Sequence, residues 1–163
     1  MTNDAPNVLS HVAEDGSARM VDVSAKPDTA RMARATGAIS MDEKTLHAIV
    51  ANSVAKGDVL AVARLAGIMA AKRTADLIPL CHPIALTDVS VTLTADPSLP
   101  GVRVESIART VGKTGVEMEA LTAATVALLT VYDMAKALDR GMALVEVRLA
   151  AKTGGASGDY ARS

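Results

Sequence analysis

Residues 84–96 alternate apolar and polar side chains, Pro97-Ser98-Leu99-Pro100-Gly101 turns the chain, and residues 102–111 alternate back. Period-two alternation sends successive side chains to opposite faces, so two such runs joined by a short Pro- and Gly-containing connection specify an antiparallel hairpin. The rest of the chain must cover the apolar face of that hairpin and extend its sheet. Upstream, residues 31–40 read as a strand with Ala33, Ala35 and Ile39 on one face, and residues 20–24 as a shorter one. Ser40-Met41-Asp42-Glu43 has the capping-box pattern of a helix running to about residue 54. Gly57 breaks it, and Asp58 caps a second helix to about residue 73. Downstream, a long helix is expected over about residues 116–138, a break at Gly141, and a last alternating strand over residues 143–151. The order strand, helix, strand, strand, helix, strand is that of an α+β, ferredoxin-like split βαβ sandwich: an antiparallel sheet with helices on one face, plus an extra N-terminal helix.

At 163 residues the chain can bury one core without disulfide or metal. The 17 Lys and Arg nearly balance 18 Asp and Glu, and Phe and Trp are absent. Neither a broad basic surface nor aromatic stacking platforms exist, so no nucleic-acid partner is expected. Cys81 is the single cysteine, and no Cys or His cluster has metal-site spacing, which fits a reducing cytoplasm. The N-terminus has neither a basic start nor an apolar run, so residues 1–18 are expected to be a disordered tail rather than a targeting segment. Residues 120–132 are uncharged but short and contain three threonines, so no membrane span is expected.

Chemistry concentrates around Pro79-Leu80-Cys81-His82-Pro83, where the prolines impose a stiff, irregular segment that leaves the N–H groups of Leu80, Cys81 and His82 for a ligand. Adjacent residues in an extended segment point to opposite sides, so Cys81 and His82 do not form a catalytic dyad. Gly112-Lys113-Thr114 lacks the glycine a P-loop requires five positions earlier, where Ile107 stands. It still gives a basic approach to a helix N-terminus able to hold an anion. Thr114-Gly115-Val116-Glu117 is a second capping box, which accounts for Glu117; Glu119 suits the first helical turn but lies outside that box. Asp133 and Lys136, at i and i+3, share a helix face with apolar neighbours, suggesting a half-buried pair able to carry protons. Lys56 before Gly57, and Lys152 before Thr153-Gly154-Gly155, add cations at loops and suggest a polyphosphate ligand. The apolar second helix, with Arg64 its one charge from residue 59 to 71, suggests a second surface against it, such as another subunit.

These motifs, with Met20-Val21-Asp22-Val23-Ser24, Ala71-Lys72-Arg73-Thr74 and Tyr132-Asp133-Met134, jointly resemble the cyclic pyranopterin monophosphate synthase family of molybdenum cofactor biosynthesis (protein C). The resemblance covers about residues 20–159, with Ala75 and Thr153 as minor departures. It implies a single catalytic domain over residues 19–159 with a C-terminal tail at 160–163. The implied lyase converts a cyclised dihydro-GTP to cyclic pyranopterin monophosphate with release of pyrophosphate, without cofactor or metal. By position, Asp133, Lys136 and Lys56 would be catalytic, while Leu80, Cys81, His82, Glu117, Met118, Glu119 and Lys152 would bind the nucleotide-derived substrate. The resemblance also implies a homo-hexamer, a trimer of dimers with active sites at subunit interfaces, so that Lys56 and Asp133 need not meet within one chain. A nucleotide-binding sensor on the same fold, in which Asp133 only orients Lys136, and a ligand-free oligomerisation module are the rival readings.

Overall fold

The structure is a computed structural model that describes residues 16–156 and 158–162. The expected tail lies outside the described residues as far as residue 15. Four long strands, β1 (Thr29–Ser40), β2 (Leu86–Asp96), β3 (Gly101–Gly112) and β4 (Ala143–Thr153), form an antiparallel sheet that a two-residue strand, β5 (Tyr160–Ala161), extends at the β4 edge. The spatial order is β2-β3-β1-β4-β5. Each pair of strands joined through helices is therefore split by an antiparallel third, the ferredoxin-like arrangement.

The hairpin forms as its alternation requires, with Asp96 paired to Gly101 across the turn. Gly101 is obligatory there because a Cβ would drive into the carbonyl of Ile39 on the neighbouring strand. The expected strand at residues 20–24 does not form. That segment runs alongside the sheet edge without a ladder, its carbonyls engaged by side chains: Lys113 donates to Ser24 at 2.7 Å, and His82 Nε2 lies 2.8 Å from the Val21 oxygen.

Helices α1 (Glu43–Val50), α2 (Val59–Ala71), the single turn α3 (Thr74–Leu77) and α4 (Glu117–Ala135) complete the fold. The cap of α1 is Asp42, which accepts from Thr45 N at 2.6 Å, and not Ser40, which β1 retains as its last residue. Asp58 caps α2 as its position suggested, accepting from Ala61 N at 2.9 Å. α2 and α4 pack side by side on one face of the sheet, and the core lies beneath them: Ala33, Ala35 and Ile39 of β1, Val102, Val104 and Ala108 of β3, and Ala120, Ala123, Ala124, Ala127, Leu128 and Val131 of α4. Without Phe or Trp, close approach replaces bulk. The alanines of α4 let it sit low on the sheet, and Gly37 leaves the space that Leu128 fills: a Cβ there would lie 3.1 Å from Leu128 Cδ1.

At 19 residues, α4 is longer than the uncharged stretch seen in the sequence, and by length and mean hydropathy alone it could cross a membrane. Half of that apolar window is buried inside the fold, so its hydropathy is that of a core helix. The opposite face of the sheet is polar, with Arg34 paired to Glu105 at 2.9 Å among Thr92, Thr94 and Arg103.

Candidate active site

Two joined clefts open where the N-terminal end of α4 meets the proline-bracketed loop and the segment leading into β1. The first, about 430 Å³, is walled by Leu80, Cys81, His82, Glu117, Met118 and Glu119, with Val21 and Lys26 opposite. The second, about 540 Å³, is lined by Arg31, Lys113, Lys152 and Gly155 and shares Lys26, Thr114, Gly115 and Glu117 with the first. All seven residues expected to contact substrate, from three separate stretches of sequence, therefore line these two adjoining clefts.

Glu119 is the buried carboxyl of this site, 3 % exposed. Burial disfavours its anion and, with Glu117 nearby, pushes its pKa up to about 7, against the pull of a backbone N–H. The group is thus divided between acid and conjugate base near neutral pH, as an acid–base catalyst requires. The same burial, with Glu119 beside it, raises the Cys81 thiol, so Cys81 is a neutral wall and not a nucleophile. Its N–H is also not free: it donates to Ile78 O at 3.0 Å. If His82 is neutral, the contact of Nε2 with the Val21 carbonyl requires the proton on Nε2 and leaves Nδ1 as the acceptor.

The capping box expected from Thr114 and Glu117 is not made. Val116 holds the cap position of α4 without a side-chain bond, and Glu117 instead pairs with Lys152 at 3.2 Å. Gly115 lies directly beneath the Glu117 carboxylate, where any Cβ would collide with it. The start of α4, capped by no side chain, and the cations of the second cleft favour an anion at this junction.

Lys113, expected to hold an anion, donates to Ser24 O and pins the segment before β1. Arg31 had no distinguishing spacing in the sequence, yet it is central to the second cleft. Its guanidinium donates to the Gly112 and Lys113 carbonyls at 2.9 and 3.1 Å, binding the β3–α4 turn to β1. The Lys-Thr-Gly-Gly motif owes its glycines to this packing: both have φ near +85°, and a Cβ would strike Ala30 O at Gly154 and the Arg31 guanidinium at Gly155.

Asp133, Lys136 and Lys56 form a separate cluster at the other end of α4. Asp133 receives Lys136 at 2.8 Å and Lys56 at 2.7 Å, so Lys56 and Asp133 do meet within one chain. The expected half-buried pair is instead a solvated triad, with the Asp133 side chain 55 % exposed. The hydrogen bonds and charges of Lys136 and then Lys56 hold its pKa down to about 2. Apolar neighbours misled here because Met134 and Ala135 turn into the core while Asp133 faces outward. From Glu117 to Asp133 the helix rises about 24 Å, at 1.5 Å per residue. Within one chain, the three residues expected to be catalytic therefore lie far from the clefts.

Proteins named cyclic pyranopterin monophosphate synthase are similar to this chain over nearly their whole length. One from Cereibacter sphaeroides is 60 % identical over 155 residues, spanning 95 % of this chain and 98 % of its own. One from Brucella ovis is 57 % identical over 155 residues, spanning 95 % of this chain and 94 % of its own. The MoaC family model matches residues 20–155, which include both clefts and the lysine–aspartate triad, and the chain belongs to the MoaC family.

Proposed function

We propose that this protein is a lyase of molybdenum cofactor biosynthesis. It converts 3′,8-cyclo-7,8-dihydroguanosine 5′-triphosphate to cyclic pyranopterin monophosphate and pyrophosphate, with residues 19–159 as one catalytic domain. The observation that carries this reading is the joining of the two clefts. The first combines apolar walls with His82 and a buried Glu119, suited to a purine-derived ring undergoing proton transfers; the second combines Arg31, Lys152 and Lys26, suited to a polyphosphate tail. The reaction opens the purine, rebuilds it as a pterin, and closes a cyclic phosphate as pyrophosphate leaves. No electrons are gained or lost, so proton carriers and anion stabilisers suffice. Glu119 and His82 move protons at the ring, while the helix terminus and cations bear the developing charge of the leaving group. Asp133, Lys136 and Lys56 supply a second set of proton-bearing groups, and on the family resemblance we assign them catalytic roles in a homo-hexamer of three dimers with interface sites. The lone, neutral Cys81 suits a reducing cytoplasm.

Purified protein given the cyclised dihydro-GTP should release pyrophosphate, measured by a coupled phosphate assay. Asp133→Asn and Lys136→Ala should fold and bind but lose at least ~100-fold in turnover, the usual scale for removing a proton carrier. Normal turnover in both variants would remove them from the chemistry. The low pKa of Asp133 favours one rival, a sensor in which that carboxylate merely orients lysines. Substrate binding without pyrophosphate release by well-folded protein would decide for the sensor.

A further inference from the structure

Residues 20–28 belong to no strand, yet they wall both clefts: Val21, Val23 and Lys26 line the first, Lys26 and Pro27 the second. Without a ladder, such a segment is placed by individual contacts. One end is fixed because Thr29 opens β1 and pairs with Gly112 of β3. Further back, Lys113 Nζ donates to Ser24 O at 2.7 Å and His82 Nε2 lies 2.8 Å from Val21 O. Between these points the chain makes a tight turn, with Ser24 N donating to Asp22 Oδ1 at 2.8 Å and Lys26 N to Val23 O at 3.0 Å. The bonds to Ser24, with the Lys113 charge nearby, hold the Asp22 carboxyl below its usual range, so the turn and the ammonium attract each other.

Lys113 directly follows the residue paired with Thr29, so the ladder and the lysine clamp the two ends of Ser24-Ala25-Lys26-Pro27-Asp28. Pro27 fixes its own φ and restricts Lys26 before it, which leaves so short a span little freedom once both ends are held. The clamp has a firm base, because Arg31 of β1 donates to the Gly112 and Lys113 carbonyls at 2.9 and 3.1 Å. Inside it sits Lys26, which borders both clefts and takes part in none of the described ion pairs. Lys113 also lines the second cleft, but its ammonium is engaged by the Ser24 carbonyl. We infer that Lys113 is a positioning residue: by holding the Ser24 carbonyl it fixes Lys26 at the junction of the clefts, where Lys26 and not Lys113 meets the anion. For Lys113 to bind that anion itself it would have to leave Ser24, and Lys26 would lose its support.

The inference rests on the proposed function only in taking pyrophosphate as the anion, and the test keeps the two apart. Lys113→Met keeps the stem and removes the donor. Amide hydrogen exchange over residues 20–28, read by mass spectrometry, should quicken about ten-fold in this variant, the scale of one lost hydrogen bond, while exchange in α2 and β3 stays as in the wild type. Pyrophosphate binding, read by calorimetry, should weaken by about ten-fold in both Lys113→Met and Lys26→Met. The double variant should bind no more weakly than Lys26→Met alone, because Lys113 acts through Lys26. Lys113→Arg keeps a cationic donor on a long stem and should restore both protection and affinity. Unchanged exchange in Lys113→Met overturns the inference, and so do losses that multiply in the double variant, which would put Lys113 itself on the anion. A wild type that binds no pyrophosphate, with exchange still quickened in Lys113→Met, overturns the polyphosphate reading of the second cleft and leaves the clamp standing.

Discussion

Glu119 and Asp133 are both acidic residues on α4, and their surroundings drive their titrations in opposite directions. Asp133, exposed and flanked by two ammoniums, is held at about 2; Glu119, buried beside another carboxylate, is raised to about 7. A raised carboxyl favours the protonated folded state. Folding therefore binds protons between the unfolded value near 4.5 and the folded value near 7, and stability falls as pH rises through that window. Relative to Glu119→Gln, which keeps the shape without the charge, the wild type should lose up to roughly 3 kcal/mol across it. Urea unfolding of both proteins from pH 4 to 8 measures the difference, and a gap independent of pH would show that Glu119 titrates in the fold as it does in the unfolded chain. At this scale the sequence supplied residue types and neighbours along the chain but not orientation. It placed Glu119 in the first turn of α4 without showing its burial, and treated Asp133 as partly buried because Met134 and Ala135 beside it are apolar.

Elements were legible where a periodicity was long enough to be unambiguous. The hairpin, β1, α2 and α4 each carry ten or more residues of one pattern, and the capping position of Asp58 was readable from its place before an apolar run. Residues 20–24 alternate just as cleanly, but five residues cannot specify a ladder when side chains such as Lys113 take their carbonyls. Contacts between elements left no local trace. Gly67 resembles a mere weak point in α2, yet a Cβ there would lie 2.8 Å from Ala123 O and 3.2 Å from Ala127 Cβ, so it marks the closest approach of α2 to α4. Gly67→Ala gains about 1 kcal/mol of helix propensity and forces apart a contact whose overpacking costs about 1–3 kcal/mol. The crowding involves a backbone carbonyl and should prevail, lowering the thermal midpoint by a few degrees in calorimetry. A raised midpoint would mean that the helices separate freely. Gly154→Ala should cost more, because a φ of +86° and the Ala30 carbonyl both oppose a side chain. The same loop holds Arg31 in place, so loss of substrate affinity should accompany its loss of stability.

For the molecule as a whole, the sequence indicated that α2 was too apolar for one layer of contacts, and the fold leaves Val62, Leu65 and Met69 exposed. Leu129→Glu separates folding from assembly. In the isolated chain Leu129 is more than half exposed and contributes little to the core, so circular dichroism and the unfolding transition of the dissociated chain should change by no more than about 0.5 kcal/mol. In the proposed hexamer, a carboxylate at this position would be buried without a compensating cation wherever the outer face of α4 meets another copy, at a cost of several kcal/mol. Sedimentation should then show the variant as a smaller species at concentrations where the wild type is assembled. Pyrophosphate release should fall with it although every residue of the cleft and of the triad is intact. Full assembly and full activity in Leu129→Glu would place the outer face of α4 in solvent and leave the exposed side chains of α2 as the partner surface.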